Sequence, residues 1–550
     1  MRQVAKTTEK TRPSTLNVEF LAVGTSAKRG NFLLVAKGKK NVVLSVRGLA
    51  RQPLEELERM EVLNISFLVA KTRNVFLAEA QAASQMEPTF KVTTQIGWSD
   101  DVFVTPSGVY PPQLPVKGMP KWWSRIQAHL DAKDEDVHSR FRRHGSALNS
   151  MEIFRFCKGN SRLMFAAAFS FVGPICKPFG LRAPGVQAVG DAASGKTVFG
   201  IVAGATWGGI PDSTIGFGST WNGTPNGLEE YAPAHHQTLM VLDETSLMPT
   251  DEKGRVLLFG EALMRLMQGQ GKKRLNASIE RWSSPLISTS NFSVYRLLDA
   301  KRREKYEAYV DRLIDIPAPD GSSSFFEERH GYKDDNAFGQ HLFDSATQNF
   351  GHPSCAFLTR FTEELEQNRS GLTAVVAGHV AKYKAAAGGI VSPTRNVQRV
   401  RGYFATVYAA GCLAIRYKIL PFTDAELLGA IMSCHRDHVI FVDAEVAGAR
   451  AWTPAAFDTA PVATSAIKGI VQSSTLFGRV KRFMEDSNRM RSFRDARIRG
   501  RQLLGADYSG YVLRKDGKRW EYGFRPSFSK KSSGMPPRTG RSNTNFYGKA

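Results

Sequence analysis

Lys196 and Thr197 close the octapeptide GDAASGKT, residues 190–197, and the acidic pair Asp243-Glu244 ends the apolar run in TLMVLDETS. The first segment has the spacing G-x-x-x-x-G-K-T. At that spacing the backbone of Gly190, Asp191, Ala192, Ala193, Ser194 and Gly195 wraps phosphate oxygens, the lysine reaches the outer phosphates and the threonine hydroxyl holds Mg2+. The second segment supplies the acidic partner such a loop needs. Its Asp can share the metal with Thr197, and its Glu can polarise an attacking water. A Glu directly after the Asp points to hydrolysis rather than to nucleotide binding alone, with ATP and Mg2+ as the implied cofactors. Asn291, at the end of PLISTSN, can orient the lytic water from a neighbouring strand, although Asn is also common at strand ends.

These residues need a scaffold. PGVQAVG reads as a short buried strand before the loop and VFGIVAGATW as a helix after it, a junction where the helix dipole favours anions. From Met151 to about Pro319 strands and helices alternate, which predicts a largely parallel α/β sheet. AYVDRLIDIPAP adds a further strand with Arg312 near its start, either a finger reaching a neighbouring subunit's γ-phosphate or a plain salt bridge to Asp311 or Asp315. Arg395 and Arg399, four apart on one helix face, are positioned to lie over the same phosphates from a helical lid. In GQGKKRLN, Gly269 and Gly271 leave the backbone free for a tight loop presenting Lys272, Lys273 and Arg274. That loop either tracks the phosphate backbone of a strand in a central channel or is a solubilising turn.

The chain is 550 residues long, enough for three or four domains, and its 42% hydrophobic and 23% charged residues are those of a soluble globular protein. A formal charge of +23 points to a polyanionic partner, DNA first, single-stranded or forked. The five cysteines, Cys157, Cys176, Cys355, Cys412 and Cys434, have no paired spacing, which suits a reducing cytoplasm without disulfides. CHRDH, residues 434–438, reads as a helix face rather than a metal site. The run Leu163 to Cys176, broken by Pro174, is too short for a membrane span and reads as a core helix. The N-terminus lacks the apolar stretch of a signal or anchor, so no membrane partner is expected.

The fold class expected is multidomain α/β. A basic disordered tail (1–17) precedes a β-rich N-terminal domain (18–150), where NFLLVAKGKKNVVLSV and TTQIGWSDDVFVTPSGVY read as hairpins. The P-loop ATPase core, a parallel sheet flanked by helices, occupies 151–324 and the helical lid 325–465. Residues 466–530 read as a basic winged helix or a basic solvated subdomain, with a hairpin turn near Lys515 and Lys518, and 531–550 as a disordered tail. Between Arg479 and Lys549 there are 19 Lys/Arg against 6 Asp/Glu.

The order of phosphate loop, Asp-Glu, STSN, YVDRLIDIP and RNVQRVRGYF resembles the AAA+ superfamily and its minichromosome-maintenance-like branch. GNSRLMFAAAFSFVGPI, GDAASGKT, STWNGTPNGLEEYA, LMQGQGKKR and IGWSDDVFVTP resemble, over residues 20 to 525, the helicase-like family catalogued as domain of unknown function 927, found on phages, plasmids and genomic islands. The resemblance implies phosphate and metal contacts at Lys196 and Thr197, a second acidic motif at Asp243 and Glu244, and a first sensor at Asn291. It further implies a trans-acting finger at Arg312 and a second sensor at Arg395 or Arg399. Gly402 departs from the pattern, standing where the lid helix is expected to carry a basic residue. An ATP-driven homo-hexameric DNA translocase or helicase follows as the expected function, acting in replication of a mobile element, with other replication proteins as partners. Two alternatives remain open: a DNA-stimulated ATPase that loads or remodels a protein–DNA complex, and a non-motor P-loop module.

Overall fold

The computed structural model describes residues 16–26, 29–38, 40–111, 128–130, 139–210, 216–248, 252–272, 280–298, 306–319, 322–392, 397–451, 510–515, 519–524 and 548–549. The chain divides into two units, 1–453 and 454–550. The first begins with β1 (Glu19–Ser26), β2 (Gly30–Lys37) and β3 (Lys40–Ser45), joined antiparallel, with Lys37 opposite Lys40 across the expected turn. β4 (Pro88–Thr93) and, beyond it, β8 (Ala128–Leu130) extend this sheet in parallel. Alternation along β2 sends Leu33 and Val35 into a core with Met60 and Phe76, and Phe32 and Leu34 into another with Phe90 and Val92. β5 (Gly97–Ser99), β6 (Val102–Thr105) and β7 (Gly108–Tyr110) form an antiparallel meander. Trp98, Phe103 and Tyr110 of this meander join the principal core of the unit.

That core is built on a five-stranded sheet in the order β10-β11-β12-β9-β13, from Ser219–Thr220, Met240–Asp243, Leu286–Ser290, Gly185–Val189 and Leu313–Pro317, parallel throughout. Short apolar runs suit strands covered on both faces. Val241, Ile287, Val186 and Ile314 belong to one core, and Met240, Leu242, Leu286 and Leu313 to another on the opposite side. The first is filled by the helices Ser161–Phe169, Lys196–Ala205 and Gln398–Arg416, the second by Glu252–Gln268. The run Leu163 to Cys176 is buried throughout, as expected, but breaks at Ser170–Phe171 into two helices, Ser161–Phe169 and Val172–Cys176.

The helices Asp335–Gln348, His352–Gln367, Arg369–Ala386, Gln398–Arg416 and Asp424–Ala451 share the principal core continuously with the sheet. The last of them is tied to it by polar contacts as well. His438 Nδ1 lies 2.8 Å from the Asp315 carbonyl. Arg162, fully buried, donates to Asp437, to the Pro317 carbonyl (2.9 Å) and to Ser433 (3.2 Å). No helix among the described residues is long and apolar enough to cross a membrane.

In the second unit, β14 (Gly510–Lys515) and β15 (Arg519–Phe524) pair antiparallel, Lys515 opposite Arg519, as the hairpin signal predicts. Gly548–Lys549, in the segment expected to be a disordered tail, pairs antiparallel with β15. The helices expected before the hairpin, and Lys518 in its turn, lie outside the described residues, as do residues 1–15.

Arg162 is a buried cation, so removing it strands the Asp437 carboxylate and the Pro317 carbonyl together. Arg162→Met is expected to lower unfolding free energy by about 3–5 kcal/mol, measured by urea denaturation, with Asp437→Leu in the same chain recovering part of the loss. A shift of under about 1 kcal/mol would mean the pair does not fasten this helix to the sheet.

Candidate phosphate-binding and acidic site

β9 runs straight into the loop, whose first N–H, at Gly190, donates to the Ser290 carbonyl of β12 (3.2 Å). The loop then turns back on itself through positive φ at Ala193 (+61°) and Gly195 (+96°). At Gly195 a Cβ would come within 2.9 Å of Phe326 Cζ, so glycine is required both by conformation and by space. The Ser194 carbonyl accepts from Phe325 N (2.8 Å), while its buried hydroxyl has no hydrogen-bond partner among the described residues. Helix Lys196–Ala205 starts at once, with its N-terminal amides facing the loop.

Lys196 is 6% exposed and donates to the carbonyls of Gly190 (2.9 Å) and Asp191 (2.6 Å) and to Asn291 Oδ1 (3.1 Å). Burial holds its ammonium below the ordinary value, opposed by the charges of Glu244, Asp191 and Asp243. Thr197 Oγ1 stands 3.3 and 3.4 Å from the two Asp243 oxygens. A hydroxyl facing a carboxylate at that distance is an oxygen donor set suited to a hard cation that keeps several of its waters. Burial pushes the Asp243 carboxyl up, against hydrogen bonds from Thr289 and Thr197.

One residue that the sequence reading passed over organises the acidic pair. Thr289 Oγ1 donates to Asp243 Oδ1 (2.7 Å) and accepts from Glu244 N (2.8 Å). It sits on β12, two residues before Asn291, so STSN carried the signal in its alternation: Thr289 and Asn291 share one side of an extended segment. Glu244 adopts φ +55°, and its Oε1 accepts from Ser246 N at 3.0 Å. Strand order does the rest. Because β12 lies between β9 and β11, its carboxyl end brings Asn291 between the lysine and the acidic pair.

The predicted arginines go elsewhere. Arg312 precedes β13, its carbonyl accepting from Gly185 N (3.1 Å) at the amino end of β9, and its guanidinium donates to the Ala308 carbonyl. About 17 Å of strand separates that end from the phosphate loop, farther than an arginine side chain extends. Arg399 is brought to Asp311 (3.1 Å) rather than over the loop of its own chain. The helix that carries it packs so that its first turn meets the amino edge of the sheet. With Arg182, Tyr403, Trp282 and Arg312 it lines a cleft of about 330 Å³. Arg182 was not singled out in the sequence; its only signal is its place just before β9. Arg395 lies outside the described residues.

The basic segment is not a glycine-loosened turn at its base. Gln270 bridges Arg281, Trp282 N donates to the Gly269 carbonyl (2.9 Å) and Gly271 N to the Glu280 carbonyl (3.0 Å), which makes an antiparallel stem. Gly269 is required there by φ +68° and by the Trp282 carbonyl, 2.2 Å from where a Cβ would stand. Lys272 is exposed, and its N–H donates to the buried Glu229 carboxylate (2.7 Å), which also faces Arg265 at 3.7 Å. Lys273 and Arg274 lie outside the described residues, and of Lys515 only the backbone is described.

Residues 26–280 match the family described as Domain of unknown function (DUF927). A solved structure, SCCmec type IV Cch, described as an active helicase, is similar with a TM-score of 0.54, covering 94% of this chain and 85% of that one at 15% identity. At that identity the likeness is one of fold. No curated protein matches the sequence.

Thr289→Val keeps the side-chain shape but leaves the Glu244 N–H without its acceptor and Asp243 without its shortest hydrogen bond. A stability loss of about 1–3 kcal/mol is expected by chemical denaturation, with Thr289→Ser restoring most of it. Equal stability of the Val and Ser variants would remove Thr289 from the account of the site.

Proposed function

We propose that this chain is an ATP-hydrolysing, ring-forming DNA translocase or helicase that serves replication of a phage, plasmid or genomic island, with an AAA+ core. The observation that carries the reading is the convergence of Lys196, Thr197, Asp243, Glu244 and Asn291 at the carboxyl edge of one parallel sheet. The residues fit ATP and Mg2+. Positive φ at Ala193 and Gly195, a buried hydroxyl at Ser194 and an ammonium among carbonyls form a cradle for anionic oxygens, and Thr197 with Asp243 would hold the ion. When bound, Mg2+ supplies electrostatic stabilisation of charge on the transferring phosphoryl group.

The chain's own residues do the rest. Lys196 neutralises the outer phosphates. Asn291 orients a water for in-line attack on the γ-phosphorus, and Glu244, released from Ser246 N, accepts its proton as the new P–O bond forms and the bond to the leaving ADP oxygen breaks. Arg312 and Arg399, at the amino edge of the sheet, are too distant to serve their own loop and are suited to a neighbour's in a homo-hexamer, with Arg182 beside them. The stem at Gly269–Lys272 carries Lys272, Lys273 and Arg274 toward DNA, single-stranded or forked, contacting phosphates without sequence preference. The charge of +23 supports a nucleic-acid partner, and the hairpin around Lys515 and Lys518 offers a further basic contact.

Lys196→Ala should abolish ATP binding, whereas Glu244→Gln should bind ATP normally and lose about 10²- to 10⁴-fold in turnover. Equal ATP affinity for wild type and Lys196→Ala would sink the assignment. A strand-separation assay decides the mode of action: DNA-stimulated turnover with no unwinding would replace the helicase reading with a remodelling one.

The trans role of Arg312 has its own test. Arg312→Ala protomers mixed with Glu244→Gln protomers should recover ATPase, because mixed rings contain interfaces at which a wild-type Glu244 faces a wild-type Arg312. Absence of recovery at every ratio, in rings shown to exchange subunits, would place the arginine outside catalysis.

A further inference from the structure

CHRDH, residues 434–438, lies on helix Asp424–Ala451, which turns its side chains to different partners. The Cys434 thiol points to the Ser161 carbonyl, His435 stacks on Phe404, and His438 meets the Asp315 carbonyl. A different trio converges. His379 on helix Arg369–Ala386, Cys412 on Gln398–Arg416 and Asp424, the first residue of Asp424–Ala451, bring one nitrogen, one sulfur and one carboxylate oxygen within 4.8 Å of one another. Three atoms that close leave a common point about 2.8 Å or less from each, against Zn–N near 2.0–2.1 Å and Zn–S near 2.3 Å, a gap that small side-chain rotations close.

We propose that His379, Cys412 and Asp424 bind one divalent transition-metal ion, Zn2+ by donor type, that fastens these three helices together. A thiolate, an imidazole and a carboxylate are the ligand set of a borderline-soft cation, and a hard ion such as Mg2+ or Ca2+ would be poorly served by the sulfur. Cys412 is buried and its thiol lies 3.1 Å from Asp424 Oδ1. On binding, the thiol proton leaves to solvent and the metal takes the place of the S–H···O contact. The fourth position falls to water or to the phenol of Tyr408, which already donates to Asp424 Oδ1 and meets the His379 ring edge to face at 6.0 Å. Lys382 pairs with the other Asp424 oxygen, Oδ2, and so leaves Oδ1 for the ion. With thiolate and carboxylate together balancing the dication, that ammonium orients the ligand rather than repelling the metal.

The consequence reaches the sheet. Helix Asp424–Ala451 carries Glu445, which takes hydrogen bonds from Arg296 (2.7 and 2.8 Å) and Ser293 (2.7 Å) in the segment directly after Asn291. A metal at its first residue fixes the helix that holds that segment. The sequence hides the site because its ligands are 33 and 12 residues apart on three helices, with no short spacing to mark them.

The test uses the full chain, stripped with a chelator and titrated with Zn2+ against a chromophoric competitor, with bound metal measured by mass spectrometry. One Zn2+ per chain is expected, weakened about 100-fold or more in Cys412→Ser and in His379→Gln, since even loss of a ligand's supporting hydrogen bond costs 10- to 100-fold. Cys434→Ser should bind as wild type. Co2+ should give a thiolate charge-transfer absorption that Cys412→Ser lacks. Zn2+ should raise the melting temperature of the wild type and not of His379→Gln, whose half-exposed position makes it the variant to rely on if Cys412→Ser fails to fold. A wild-type chain that takes up no stoichiometric Zn2+, or one whose affinity is unchanged in His379→Gln, would overturn the site. Neither result depends on ATP hydrolysis, so failure here and failure of the proposed function are separable.

Discussion

Lys196 is an ammonium group taken almost entirely out of water, and a buried charge persists only where oxygens and opposite charge surround it. Two loop carbonyls, the Asn291 amide oxygen and the field of three carboxylates meet that requirement. Each comes from a different place in the chain. The carbonyls require the loop to curl through positive φ, the amide requires β12 beside β9, and the acidic pair requires β11 one strand further out. The sheet order is therefore tied to the needs of one side chain, and Thr289 locks the interposed strand to the acidic one.

Polar atoms inside the sheet extend this logic away from the loop. Gln187 on β9 donates to Asp315 on β13 (2.9 Å) and to the Phe292 carbonyl (3.0 Å), and Asp315 accepts from Val294 N (3.0 Å). The segment after Asn291 is thus held from below by Asp315 and from the side by Glu445. A segment pinned on two sides by hydrogen bonds to carboxylates keeps its position more sharply than packing alone would, because each bond fixes direction as well as distance. Asp315, on β13, lies three residues beyond Arg312, which directly precedes that strand, so one strand joins the segment after Asn291 to the arginine cleft.

The two edges of the sheet carry opposite chemistry. At the carboxyl edge one lysine faces Asp191, Asp243 and Glu244, while at the amino edge Arg182, Arg312 and Arg399 gather around Tyr403. Burial raises the Tyr403 phenol, the charges of Arg399, Arg182 and Arg312 act the other way, and Asp311 acts with burial. In the function proposed, the arginines of one edge would face the Lys196 loop of a neighbouring protomer, the head-to-tail arrangement from which closed rings are built.

The sequence by itself determined which residues gather at the carboxyl edge. GDAASGKT, the acidic pair and Asn291 could be read because each is a contiguous string whose spacing is set by local backbone geometry, and the hairpins at Lys37–Lys40 and Ser99–Val102 were legible for the same reason. Short apolar runs likewise marked the buried strands of the parallel sheet. What only the tertiary structure decided is whatever depends on which elements become neighbours. Arg399 is on the same helical face as Arg395 in any sequence reading, yet Asp311, on the turn before β13, draws it to the amino edge. Glu229 and the trio His379, Cys412 and Asp424 carry no local signature at all, and Thr289 and Arg182 only that of their places at a strand end. Their roles come from distances between residues far apart in the chain, fixed by two apolar cores that pack the sheet on both faces. Local spacing constrains the backbone directly, whereas long-range proximity is the outcome of burying all the apolar surface at once.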